Sequence, residues 1–228
     1  MKFDVILFDV DGTLLNFDLA EKNALKETLE EYSFSYSDDM LERYHHINIF
    51  YWKELEKGKI NKKELHYKRY EQLFDEYGIE TDIDTFNVKY MKRLGEGAYL
   101  LENAKEICEY FHKKAVLAIA SNGSQEVQVK RIKKIGLDRY LDHFFVSADI
   151  GYNKPDVRYF DYIIERVNAA KEKILMVGDS LTADIAGGIN AGIKTCWYNP
   201  ERLENKDNII PDYEIVDLLQ LKDIAEVK

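Results

Sequence analysis

Short apolar runs alternate along this chain with longer stretches in which apolar residues recur every three or four positions. The first run, Val5-Ile6-Leu7-Phe8 within 4–10, lacks the in–out alternation of a half-exposed strand and predicts one buried on both faces. Comparable runs predict strands at 116–121, 144–147, 174–178 and 193–197, with a last one near 213–216 ahead of a C-terminal helix. Amphipathic stretches near 124–135, 156–168 and 181–191 predict the intervening helices, and Gly136 and Gly192 are placed to stop two of them. Strand alternating with helix implies a parallel sheet covered on both faces, an α/β fold.

Residues 16–97 break that rhythm. They hold no strand pattern but four helical ones, roughly 18–32, 38–56, 61–77 and 82–94. Asn61 with Glu64 three positions on has the form of a capping box, and Gly78 is a helix stop. The expectation is an α/β core of residues 1–15 and 98–228 interrupted by an all-helical cap domain, 16–97, with the return to the sheet near Gly95-Glu96-Gly97.

Composition narrows the function classes. Of 228 residues, 46% are hydrophobic, enough for a packed core and too many for disorder. Asp and Glu outnumber Lys and Arg, 42 to 32, for a formal charge of −10, which argues against binding a nucleic-acid polymer or an anionic membrane. Acids interrupt the first apolar run too early for a signal peptide, and no stretch reaches the ~20 apolar residues of a membrane span. Cys108 and Cys196 lie far apart in apolar surroundings with no metal-type spacing, as expected of buried thiols in a cytoplasmic protein.

Candidate chemistry lies where strands end, because ligands of open parallel sheets bind beyond the carboxyl ends of the strands. The first strand ends in Asp9 and Asp11, the second in Ser121-Asn122-Gly123. The third is followed by Gly151 through Asp156, which includes Lys154, and the fourth ends in Gly178-Asp179-Ser180 with Asp184 shortly after. Up to four carboxylates in one crevice repel one another, and a divalent cation resolves the repulsion; oxygen-only donors select a hard ion such as Mg²⁺. A phosphate dianion can then join, balanced by the ion, Lys154 and hydrogen bonds from Ser121. One aspartate can act as nucleophile and its neighbour as general acid and base.

D-V-D-G-T-L, S-N-G, K-P and G-D-S-x-x-x-D, in that order and each after a strand, resemble the four motifs of the haloacid dehalogenase-like hydrolase superfamily over essentially the whole chain. The resemblance implies a Rossmann-like core with a class-one helical cap, and a Mg²⁺-dependent phosphomonoester hydrolase working through an aspartyl-phosphate. It implies Asp9 as nucleophile, Asp11 as acid/base and Thr13 as a brace of the first turn. Ser121, Asn122 and Lys154 would bind phosphate, with Lys154 also balancing charge on the nucleophile. Asp9, Asp11 (through its backbone carbonyl), Asp179 and Asp184 would form the metal site. Asp11 sets aside the superfamily's dehalogenases and phosphonatases, which lack that second aspartate.

The closer similarity is to a bacterial branch of pyrimidine 5′-nucleotidases, described as clearing noncanonical nucleotides. It is carried by Asn48 and Trp52 within Ile47 to Trp52, by Gly58-Lys59-Ile60, by Val177 through Gly188, and by Asn190-Ala191-Gly192 with Thr195 through Pro200. Ser121 stands where that branch more often has threonine, and Leu94-Gly95-Glu96-Gly97 where a Pro-Gly hinge is expected. The implied substrate is a small phosphorylated metabolite, a nucleoside 5′-monophosphate, with Phe17, Asn48 and Trp52 as substrate contacts; the alternative is a sugar-phosphate phosphatase or phosphomutase. Most cap aromatics sit at helical spacing and are expected in the core. The expected assembly is a monomer or homodimer.

Overall fold

The computed structural model describes residues 1–226. In chain order its elements are β1 (Val5–Phe8), α1 (Phe17–Glu31), α2 (Asp38–Glu56), α3 (Lys62–Tyr77), α4 (Ile83–Leu94), α5 (Ala104–Phe111), β2 (Val116–Ser121), α6 (Gln125–Lys134), β3 (His143–Val146), α7 (Ser147–Ile150), α8 (Val157–Val167), β4 (Ile174–Gly178), α9 (Ala186–Ala191), β5 (Lys194–Tyr198), β6 (Tyr213–Ile215) and α10 (Leu221–Ala225). The chain divides into two compact units, Met1–Asn16 with Ala98–Lys228, and Phe17–Gly97.

The first unit is built on six parallel strands in the order β3-β2-β1-β4-β5-β6. Ile6 and Phe8 of β1 pack on one side with Ile107, Phe111, Leu117, Ile119, Ile132 and Val177, while Val5 and Leu7 pack on the other with Ala118, Tyr159, Phe160, Ile163 and Met176. Alternate residues of one strand thus reach two separate apolar layers, which is why the strands read as unbroken apolar runs. The order matters for chemistry: β1 is flanked by β2 and β4, so the carboxyl ends of these three strands, ending near Asp9, Ser121 and Asp179, lie side by side.

Two departures from the expected elements have physical causes. Helix α5 is absent from the sequence expectation, yet Ala104, Ile107, Cys108 and Phe111 stand at i, i+3, i+4 and i+7 and are all fully buried. The helix expected over 181–191 is broken: Leu181–Ile185 forms a π-type turn before α9 begins. Ser180 Oγ accepts from the Ala183 N–H, Ser180 N–H donates to Asp184 Oδ2 and Asp184 is buried, so the wider turn directs a carboxylate inward.

The second unit is four helices. Asn61 and Glu64 form the reciprocal capping box at the start of α3, and Gly78 ends it at φ 65°. Tyr44, Tyr70, Phe74, Phe86 and Tyr90 form its buried aromatic centre, with the ring centroids of contacting pairs 4.9–5.9 Å apart. Arg69 is buried among them, its guanidinium 4.7 Å from the Tyr70 ring centre. Phe50 and Tyr67 are exposed instead. Among the described residues no helix is long and apolar enough to cross a membrane.

Candidate active site

The Asp9 N–H donates to Val177 O, extending the β1–β4 pairing one residue past the strand and locking the first carboxylate at the sheet's rim. The chain then turns sharply. Gly12 has φ +84°, and a Cβ there would lie 2.4 Å from Asp179 Oδ2, so a side chain at this position would evict the carboxylate of the neighbouring strand end. Thr13 Oγ1 donates to Asp179 Oδ1 at 3.3 Å and Trp197 Nε1 donates to Asp179 O at 2.8 Å, which ties Asp179 to both β1 and β5. Gly178 is as constrained: a Cβ would lie 2.2 Å from Asp184 Oδ2.

Lys154 is the buried cation of this cluster, 2% exposed. Its ammonium donates to Asp9 Oδ1, Asp184 Oδ1 and Ala120 O, each at 2.6 Å, so all three N–H bonds are used. Asn122 holds the lysine's backbone from both sides: its Nδ2 donates to Lys154 O at 2.9 Å and its Oδ1 accepts from Lys154 N–H at 2.8 Å. The carboxamide placed with the phosphate ligands by sequence is thus engaged on the lysine loop.

The electrostatics follow from that crowding. Burial pushes the Asp9 carboxyl up to about 7 against the pull of Lys154, and the charges of Asp184 and Asp11 add to the rise. Asp179 is also raised, by the protein crowded around it and by Asp9 and Asp184, although the residue keeps an exposed face. Burial opposes the charge on Lys154, but Asp184 and Asp9 outweigh it and hold the ammonium well above the usual lysine range.

Asp9, Asp179 and Asp184 each offer a carboxylate oxygen, and these oxygens all lie within 4.8 Å of one another. Three hard anionic donors, two of them held above their ordinary pKa by burial and then by the charge of neighbouring carboxylates, fit a divalent cation such as Mg²⁺. The Asp11 carboxylate lies outside this trio and turns to two residues that sequence reasoning missed. Arg131 Nη1 donates to Asp11 Oδ1, and Gln128 Nε2 donates to Asp11 Oδ2 at 2.6 Å and to Ser121 Oγ at 3.1 Å. Both are buried on α6. Their signal was present: two long polar side chains three apart, on the same helix face as Val127 and Ile132, in the helix that follows Ser121-Asn122-Gly123.

The remaining candidates belong to the helical unit. Asn48 is buried, its amide donating to Glu21 Oε1 at 2.6 Å and its oxygen accepting from Arg69 Nη1 at 3.0 Å. Glu21 Oε2 also holds His45 Nδ1 at 2.6 Å. Phe17 opens α1 and Trp52 lies in α2, both half-buried.

The chain belongs to the haloacid dehalogenase-like hydrolase family, whose model matches residues 3–192, and it is an enzyme of that class. It is 38% identical over its full length to the HAD-hydrolase YfnB of Bacillus subtilis, covering 97% of that protein. It is 37% identical to the pyrimidine 5′-nucleotidase PynA of Streptococcus pneumoniae (99% of this chain, 96% of that one) and 30% identical to the pyrimidine 5′-nucleotidase YjjG of Escherichia coli (98% of each). A crystal structure of Bacillus subtilis YfnB bound to magnesium superposes with a TM-score of 0.94 over the whole of both chains.

Proposed function

We propose that this protein hydrolyses small phosphomonoesters with Mg²⁺, and that its substrates are pyrimidine nucleoside 5′-monophosphates. The observation that carries the reading is Lys154, buried and bridging Asp9 and Asp184 at 2.6 Å beside a trio of carboxylate oxygens. A site with paired anions, one fixed cation and space for a divalent ion is built to receive a further anion. The magnesium in the YfnB crystal and the activities named for PynA and YjjG support the choice of ion and substrate class.

Asp9, Asp179 and Asp184 would hold the ion, which when bound supplies charge neutralisation for the transferring phosphoryl group. Lys154 pulls Asp9 toward its ionised form and aims it, since its Nζ binds Oδ1 and leaves Oδ2 to attack. The Asp9 oxygen bonds to phosphorus as the bond to the ester oxygen breaks, and Asp11 delivers a proton to the departing alcohol. Asp11 then takes a proton from the water whose oxygen attacks phosphorus, the bond to Asp9 breaks, and inorganic phosphate leaves. Ser121 Oγ accepts from Gly123 N–H and from Gln128 Nε2, so its lone pairs are used and its own O–H donates to a phosphoryl oxygen. Asn122 holds the Lys154 loop.

The test is phosphate release from nucleoside 5′-monophosphates, sugar phosphates and p-nitrophenyl phosphate, with Mg²⁺ and with EDTA. Turnover of pyrimidine nucleotides that needs the metal and is abolished in Asp9→Asn is expected. A preference for sugar phosphates would move the substrate class, and full activity in EDTA or in Asp9→Asn would remove the mechanism.

A further inference from the structure

We infer that Arg131 and Gln128 are positioning residues for the reaction, a buried clamp that fixes the acid/base Asp11 and links it to the phosphate-binding hydroxyl of Ser121. The inference rests on the proposed phosphatase reading and extends it to two side chains outside the four motifs.

Arg131 is fully buried, and a guanidinium withdrawn from water is strongly destabilising unless a charge partner and hydrogen bonds offset it. Its partner is Asp11, which keeps 26% of its side chain exposed and whose other oxygen is taken by Gln128. A carboxylate at the edge of a crevice has several rotamers open to it; one bonded through both oxygens to two buried groups has one. Arg131 Nη1 also lies 3.3 Å from Gln128 Oε1, so the guanidinium braces the amide and fixes which way round it sits, with Nε2 toward Asp11 and Ser121. Two side chains three residues apart on one helical turn, Gln128 and Arg131, therefore set the direction of a proton donor on β1's turn and of a hydroxyl at the end of β2. Groups that orient a reacting side chain commonly contribute about 10- to 100-fold.

Acid catalysis gives the clamp a specific signature. An alkyl ester such as uridine 5′-monophosphate expels a strongly basic alkoxide and needs the Asp11 proton as the bond to phosphorus breaks. p-Nitrophenyl phosphate expels a phenolate stable enough to leave without it. Because kcat/KM covers only the steps through departure of the alcohol or phenol, the later use of Asp11 as a base does not enter that comparison. The experiment compares kcat/KM for the two esters, with saturating Mg²⁺, in the wild type, Asp11→Asn, Arg131→Met, Arg131→Lys and Gln128→Met, each checked by circular dichroism and melting. Asp11→Asn sets the limiting fall in the alkyl-to-aryl ratio. Arg131→Met and Gln128→Met are expected to lower that ratio about 10-fold or more, Arg131→Lys less, and Gln128→Met is expected to add an equal loss on both esters through Ser121.

Folded variants that lose both esters by the same factor, or neither, would overturn the clamp. If Arg131→Met does not fold, Arg131→Lys and Gln128→Met decide by the same ratio. A wild type that hydrolyses neither ester overturns the phosphatase reading, and the clamp with it; a wild type active on both with an unchanged ratio in the variants overturns the clamp alone.

Discussion

Replacing Lys154 by methionine isolates the charge balance on which the site depends. The side chain keeps its length and apolar stem but loses the ammonium that now satisfies Asp9 Oδ1, Asp184 Oδ1 and Ala120 O at 2.6 Å each, at a position 2% exposed. Removing one partner of a buried ion pair costs about 3–5 kcal/mol, because the partner charge stays buried and uncompensated. In a chain of this length that is a fall in Tm of about 6–20 °C. The loss will depend on pH, with a sign fixed by Asp9. Its carboxyl is already pushed up to about 7 by burial even with Lys154 pulling it down, so without the lysine it goes higher. A group whose folded pKa exceeds its unfolded value lends stability below the unfolded pKa and loses it as pH rises through the folded one. Metal-free Lys154→Met should therefore be near the small end of the range at pH 5, where Asp9 holds a proton, and near the large end at pH 8. Thermal melts of wild type and variant in EDTA across that interval measure it, and adding Asp184→Asn to Lys154→Met should recover part of the loss. A variant that melts within 1–2 °C of wild type at pH 8 would refute the claim that Lys154 is the counter-charge holding two carboxylates together.

Other expectations follow from the same geometry. Mg²⁺ should raise the Tm more at pH 8 than at pH 5, since the trio must shed protons to bind it, and Asp184→Asn should cut that rise; an equal shift at both pH values counts against the trio. Gly178→Ala should lower Mg²⁺ affinity and activity at least about 10-fold while keeping the fold, because its Cβ would occupy the place of Asp184 Oδ2; magnesium titration reads this directly. In the helical unit, the hydrogen bond that His45 donates to Glu21 and that residue's charge raise His45, against partial burial. The contribution is therefore complete below the ordinary histidine value and is lost as pH rises through the raised one; His45→Gln should flatten the pH dependence of stability in that window. Arg69→Met should cost about 1–3 kcal/mol in urea unfolding, since it leaves the buried Asn48 oxygen without its donor.

The apolar runs and the polar residues that end them determined the strands, their parallel arrangement and the rim on which Asp9, Ser121 and Asp179 meet. Those features are local: a run buried on both faces has no other period to adopt, and charge is expelled to its end. The capping box at Asn61 and the stop at Gly78 were legible for the same reason, because a cap satisfies backbone groups within one turn. Helix α5 was equally legible from Ala104, Ile107, Cys108 and Phe111, whose i, i+3, i+4, i+7 spacing marks one apolar helix face. The direction of each polar side chain was another matter. Nothing within a few residues of Asp11 says that its carboxylate turns to Arg131, 120 positions on, while that of Asp9 turns to Lys154, 145 positions on. Nor does the helical pattern of 181–191 show the π-type turn that aims Asp184 inward. Those choices are made by long-range ion pairs in a low-dielectric interior, where an unpartnered charge is costly enough to override local preference, so only the assembled core could decide them.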